Sequence, residues 1–376
     1  MTFMLNRVSR LFLAVLMLVT IGVLSGCICP HAKKSAKHCK TTCCCPNHGN
    51  FDGKVEPVEL TMLPVAGGWF EMGARDDEFT IFSDERPKHM VKLDSYTISK
   101  YEVTVQQYAD MLNWALVKKY LTGQDGKPYS GGNVFVNGKI AVKMEISYCP
   151  LEFKNGKFSS RIVHGQPVAR HPMVEVSWFG AAAYCNWLNE KEGLPMAYDA
   201  NWNNLWSPTV ELVKRGYHLP TSAQFEKATG WNTSGTRTTL PDGTKGSHWI
   251  YHYQSDTLDQ SRINNAPDWN PANPQKMITA PFTTEVGFFD GKHGYPDSPG
   301  PCDTYDMGGN AWEWCNDWNY SYTTNSEVNP MGPETGTQRV FRGGCFEDFN
   351  LMTRTAHKGY QDPKICGYIF GFRLAR

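Results

Sequence analysis

Net charge is the first thing this 376-residue sequence lacks, with 37 Lys and Arg set against 37 Asp and Glu. No basic field points toward nucleic acid, so no nucleic-acid partner is expected. A second long apolar run is also missing. After residues 11–24, LFLAVLMLVTIGVL, nothing is long enough to cross a bilayer. Heptads and fixed-period repeats are absent, which argues against coiled coils and solenoids. Clear strands are scarce across residues 231–310, where Gly, Pro, Asn and Asp dominate. Gly, Pro, Trp and Tyr are plentiful, at 34, 23, 12 and 17 residues. That suits a loop-rich domain whose aromatics hold irregular segments together.

The N-terminus carries Arg7 and Arg10 and no acid before the apolar run. The run has the length of a signal-peptide core rather than of a membrane span. It ends in Leu24-Ser25-Gly26-Cys27, which resembles the lipobox of bacterial lipoproteins. The resemblance implies that residues 1–26 are removed and that the Cys27 thiol is acylated. The chain would then be held to the membrane through a lipid anchor in the bacterial cell envelope. More than one acyl chain is needed for a stable anchor. Ile28, in place of Asp, favours the outer membrane over the inner.

Residues 27–54 hold Cys29, Cys39, Cys43, Cys44 and Cys45 with His31, His38 and His48, and almost no large apolar residues. Such a stretch cannot bury a core and is expected to be a flexible tether. Three adjacent cysteines do not match a spaced zinc pattern. Soft-metal binding stays the alternative to an oxidised or disulfide-linked tether.

The folded body is expected over residues 55–376. Residues 58–73 read as two short strands around Gly67-Gly68, and residues 89–103 as further strands. Thr104 and Gln107 form a capping box that opens a helix. Residues 116–170 read as an insertion with a hairpin. Ser177 caps a second helix, which Gly193 can end. Thr221 and Gln224 form another capping box, opening a third helix that runs to about Ala228.

Several motifs, taken in order, resemble the formylglycine-generating enzyme family, also called sulfatase-modifying factors. They include Gly68-Trp69-Phe70-Glu71-Met72-Gly73, Tyr101-Glu102-Val103-Thr104 and His171-Pro172-Met173-Val174-Glu175-Val176-Ser177-Trp178. Further along come Tyr217-His218-Leu219-Pro220-Thr221, Tyr305-Asp306-Met307-Gly308-Gly309-Asn310-Ala311-Trp312-Glu313-Trp314, Arg342-Gly343-Gly344 and Gly371-Phe372-Arg373. The resemblance implies an α+β class: an elaborated C-type-lectin-like fold, rich in loops and low in regular structure.

It also implies a Ca²⁺ site on the 305–313 loop. Its ligands would be the Asp306 and Glu313 side chains with the carbonyls of Gly309 and Ala311. Hard oxygen donors on an irregular loop are what Ca²⁺ takes. Trp312 and Trp314 are expected in the core.

Active members of the family hold Cu(I) between two cysteines after an Arg-Gly-Gly-Ser motif. Here those positions fall on Asp348 and near Thr353. Oxygen groups do not replace two thiolates for Cu(I), so copper is not expected. Cys345 replaces the family's usual Ser. In an oxidising envelope, Cys345 with Cys366 and Cys302 with Cys315 are candidate disulfides. Cys185 stands at a family disulfide position whose partner position here is Leu374. The short tether leaves no room for the iron-binding domain of ergothioneine-type sulfoxide synthases, so that chemistry is not expected either.

The reading is therefore a lipid-anchored envelope protein that binds or scaffolds an envelope protein or a glycan. Its binding face is expected on residues 345–370, with Phe346, Asp348 and Tyr360 as candidate contacts. Two alternatives stay open. One is a protein-modifying oxidoreductase related to formylglycine-generating enzyme. The other is a ligand-binding variable protein of a diversity-generating retroelement.

Overall fold

The computed structural model describes residues 56–79, 82–123, 129, 132–203, 205, 216–265 and 281–376. They belong to one unit, Val55–Arg376. The signal segment, Cys27 and the Cys/His-rich tether lie outside the described residues. Among the described residues no helix is long and apolar enough to cross a membrane.

The first four strands are β1 (Met62–Val65), β2 (Gly68–Met72), β3 (His89–Leu93) and β4 (Tyr96–Ser99). The strands expected around Gly67-Gly68 are present but do not pair with each other. β1 pairs with β4 and β2 with β3, both antiparallel. A Cβ at Gly67 would sit 2.7 Å from the Ser95 nitrogen, so the crossing requires glycine there.

Helix α1 (Val105–Val117) opens as expected: the Thr104 hydroxyl accepts from the Gln107 N–H at 3.3 Å, and the Gln107 side chain accepts from the Thr104 N–H at 2.8 Å. Hairpins come next in the chain: β5 (Asn133–Val136) with β6 (Lys139–Lys143), β7 (Leu151–Lys154) with β8 (Lys157–Ser160), and β9 (Ile162–Val163) with β10 (Gln166–Pro167). The insertion thus holds three hairpins where one is expected. Asn137-Gly138, Asn155-Gly156 and His164-Gly165 all have positive φ at both turn positions. That is the two-residue turn whose twist suits a hairpin. The hairpins bury Val134, Val136, Ala141, Val142, Leu151 and Phe158 in the main core.

Helix α2 (Trp178–Glu192) is capped by Ser177 and ends at Gly193, which takes left-handed backbone at φ 70°. Eleven of its residues are buried, so it runs through the centre of the domain. Helix α3 (Ser222–Gly230) carries the second capping box and is buried along its whole length.

Strands β11 (Trp231–Asn232), β12 (Thr238–Thr239) and β13 (Lys245–His248) make a small sheet. The remaining strands are β14 (Trp312–Trp318), β15 (Glu327–Val328), β16 (Arg339–Arg342), β17 (Lys358–Gln361) and β18 (Phe370–Gly371). The main sheet has the order β17-β16-β14-β18, with β14 and β18 parallel. β14 is buried on both faces up to Trp318. The Trp314 indole donates to the Val176 carbonyl at 3.0 Å, and the Trp178 indole to the Cys315 carbonyl at 2.8 Å. Buried tryptophans need such partners for their N–H. The C-terminal residues stitch back to β4: Thr97 N–H donates to the Arg376 carbonyl at 2.7 Å and Ser99 N–H to the Leu374 carbonyl at 2.8 Å.

Candidate functional site

Two regions carry the residues singled out by sequence, and both hang on the main sheet. The first is the loop entering β14. Asp306, Gly309 and Asn310 all have positive φ, so the loop turns tightly. Asp306 Oδ2 accepts from the Gly287 N–H at 2.6 Å. Asn310 donates to Glu102 Oε2 at 3.0 Å and accepts from the Thr284 N–H at 2.9 Å. Glu313 is clasped by Arg373, with Nε to Oε2 at 2.7 Å and Nη2 to Oε1 at 2.8 Å. Arg373 also donates to the carbonyls of Ser99 and Tyr305.

Glu102, Asp306, Glu313 and Arg373 are all buried. Burial raises the pKa of all three carboxyls, that of Asp306 to about 6. Mutual repulsion adds to burial at Glu102 and Glu313, and Arg373 opposes it at all three. Three buried acids thus share one guanidinium. Glu102 keeps one carboxylate oxygen without a hydrogen-bond partner.

Carboxylate and carbonyl oxygens are the donor type a hard cation takes, although both Glu313 oxygens are held by Arg373. The four expected donors are two carboxylates and two carbonyls. Among the described residues, no group of three or more His, Cys, Asp or Glu could hold a metal by side chains alone. Glu313 has a role that its motif does not reveal, as the anionic half of a buried, bidentate ion pair.

The second region is the excursion between β16 and β18. Gly343 and Gly344, at φ 97° and 77°, turn the chain out of β16. Arg342, just before this turn, pins the excursion from beneath. Its buried guanidinium meets Glu226 at 2.7 Å, Ser222 Oγ at 2.8 Å, Tyr322 Oη at 2.8 Å and the His357 carbonyl at 3.1 Å. Arg354 pairs with Glu78 and with Glu85, the latter at 2.6 Å, and His357 Nδ1 lies 2.7 Å from Glu85. The excursion is thereby tied to the segment between β2 and β3.

Asp348 accepts from the Cys345 N–H at 2.8 Å and donates its own N–H to the Cys345 carbonyl at 3.1 Å. Thr353 is buried, and its hydroxyl donates to the Asn350 carbonyl at 3.3 Å. Both side chains therefore hold the loop's shape. Burial pushes the Cys345 thiol well up.

Phe346 departs from expectation as an exposed contact. It is buried, stacked on Phe282 with ring centroids 5.3 Å apart and planes at 20°. Phe282 comes from another loop, so its cover for Phe346 is not legible locally. The adjoining cavity, lined by Tyr148, His171, Phe282, Phe346 and Tyr368, holds only about 30 Å³. Tyr360, on β17, is 43% exposed, and Phe349 is 51% exposed. Phe349 is the surface aromatic that the candidate contacts omit.

The expected disulfides are not formed. Cys302, Cys315, Cys345 and Cys366 are all free thiols. Cys345 packs into the core, whereas Cys366 is partly open to solvent.

A sparse mixed sheet, a helix buried through the centre, long loops and a Gly-Gly turn into a terminal excursion define an α+β protein of the C-type-lectin-like, formylglycine-generating type. Residues 52–376 match the family described as Sulfatase-modifying factor enzyme 1-like domain, and the chain belongs to it. It is 26% identical over 327 residues to serine/threonine-protein kinase pkn1 of Chlamydia pneumoniae, covering 86% of this chain but 39% of that protein. The chain thus spans well under half of that relative. It is 28% identical to the formylglycine-generating enzyme of Streptomyces coelicolor, covering 83% of this chain and 87% of the enzyme. Among solved structures, Treponema denticola variable protein 1 aligns with a TM-score of 0.52 and 21% identity, over 85% of this chain and 95% of that one. At that identity the likeness speaks for the fold alone.

Proposed function

We propose that this protein is a lipid-anchored binding or scaffolding member of its family, working at the bacterial cell envelope without the Cu(I) chemistry of formylglycine-generating enzymes. The observation that carries this reading is the wiring of the excursion. Asp348 and Thr353, where the enzymes' cysteines are expected, are hydrogen-bonded into the loop. A hard carboxylate and a hydroxyl are poor Cu(I) ligands. Around them Arg342 and Arg354 hold the loop rigid, while Tyr360 and Phe349 stay at the surface. A stiff scaffold displaying aromatics is a good binding platform. The partner would be an envelope protein or glycan.

The test pairs stability with capture. Tyr360→Ala and Phe349→Ala are expected to leave the melting temperature nearly unchanged, because both rings are about half exposed. Each should weaken capture of the partner from envelope extract. Asp348→Ala belongs to a different class: it loses the Cys345 N–H contact and should cost about 1 kcal/mol of stability. Untouched capture in both aromatic variants would place the binding face elsewhere. Stoichiometric Cu(I) uptake by residues 55–376 would overturn the non-copper reading.

The anchor is proposed at Cys27. Cys27→Ser is expected to shift the protein from the detergent phase to the aqueous phase, or to leave the precursor unprocessed. A mature-length variant still in the detergent phase would reject acylation at that residue.

Calcium is proposed at the 305–313 loop, where its charge would offset the surplus of buried acid. At about 100 Kd of free Ca²⁺ the gain would be roughly 2.7 kcal/mol. Asp306→Asn is expected to remove most of that gain in a thermal melt, and a chelator should do the same to the native chain. A melting curve indifferent to both would dismiss the site.

A further inference from the structure

Glu175 belongs to neither region above. It is fully buried, in left-handed backbone at φ 62°, and neither carboxylate oxygen has a hydrogen-bond partner. A side chain placed that way carries both a backbone cost and a desolvation cost.

Three segments meet around it. The Glu175 N–H donates to the Gly367 carbonyl at 3.0 Å, and the Glu175 carbonyl accepts from the Lys143 N–H at 3.2 Å. The Tyr148 and Tyr368 rings lie 5.1 Å apart. Cys149 and Cys366 sit on these same segments, Cys149 buried and Cys366 partly open to solvent. Burial, with a contribution from Glu175, pushes each thiol up to about 12. Cys149 directly follows Tyr148 and Cys366 lies two residues before Tyr368, so the ring contact brings the two cysteine-bearing segments together.

We propose that Cys149 and Cys366 are a disulfide-forming pair that links the inserted hairpins to the C-terminal excursion, with the unpartnered Glu175 carboxylate as an electrostatic brake on its closure. The oxidant is a disulfide, R–S–S–R. The more accessible Cys366 loses its proton to solvent and attacks one sulfur of the oxidant, and the first R–S⁻ leaves and is protonated. Cys149 then loses its proton and attacks Cys366 Sγ, expelling the second R–S⁻, which is also protonated. Two protein thiols become one disulfide, and R–S–S–R becomes two R–SH. In its ionised form Glu175 slows both steps, because only thiolates attack.

Glutathione disulfide is the probe, applied to the full-length chain under native conditions and followed by non-reducing peptide mapping. The tether cysteines fall on other peptides. At pH 8, above the value of about 7 to which burial raises the Glu175 carboxyl, a Cys149–Cys366 linked peptide is expected, forming several-fold faster in Glu175→Gln, where the negative charge is gone. Cys149→Ser should trap a glutathione adduct on Cys366, and Cys366→Ser should leave Cys149 unmodified. Linkage of Cys366 to any other cysteine would overturn the pairing. So would a stable adduct on Cys366 in the native chain with no onward closure. Closure in Glu175→Gln that is no faster than in the native chain would overturn the brake. The native and Glu175→Gln chains keep both cysteines, so these outcomes do not depend on a cysteine variant folding.

Discussion

Replacing Arg373 with alanine is expected to destabilise the domain by about 3–5 kcal/mol, the usual cost of leaving a buried charge without its partner. Arg373 is fully buried and binds both oxygens of Glu313. It is also the cation that opposes the raised pKa values of Glu102 and Asp306. Its loss takes from three buried acids the guanidinium they share and strips partners from the Ser99 and Tyr305 carbonyls. A fall in melting temperature on the order of 10 °C should result. Arg373→Met combined with Glu313→Leu should cost less than the sum of the single changes, because it removes the charges in pairs. A melting temperature close to that of the native chain in Arg373→Ala would show that water reaches the carboxylates.

The second large effect is expected at Arg342. Arg342→Ala removes the ion pair to Glu226 together with the contacts to Ser222, Tyr322 and the His357 carbonyl. About 3–5 kcal/mol should again be lost. The readout differs, because Arg342 clamps the far end of the excursion. Limited proteolysis is expected to cut between residues 345 and 357 in the variant before it cuts elsewhere. Global unfolding without preferred cleavage would mean that the excursion and the sheet form one cooperative unit.

Local features were the legible part of this fold. Thr104 with Gln107, Ser177, and Thr221 with Gln224 act within one helical turn, and all three caps are present. Family motifs placed Trp314 correctly in the core. The Asn-Gly turns at 137–138 and 155–156 carry a strong local hairpin signal, which a count of one hairpin under-reads. His164-Gly165 carries a weaker one.

Contacts between distant residues were not legible. Glu313 and Arg373 are 60 residues apart, and Arg354 and Glu85 are 269 apart. Nothing in either neighbourhood specifies the other. Phe346 reads as a loop aromatic until Phe282 is set over it. Glu175 enters the sequence reading only as part of a family motif, and nothing beside it in the chain signals its positive φ or its burial.

The stitching of residues 374–376 onto residues 97–99 has a consequence for how the chain reaches this state. The partners are 275 or more residues apart, as Ser99 Oγ with the Leu374 N–H illustrates. Loop-closure entropy must be overcome before such a contact returns any stability. One side of β4 stays without its backbone partners until residues 374–376 are in place. The domain is therefore a late folder. Completion of the fold is thereby tied to its longest-range contacts, and a destabilised β4 would be felt first at residues 374–376.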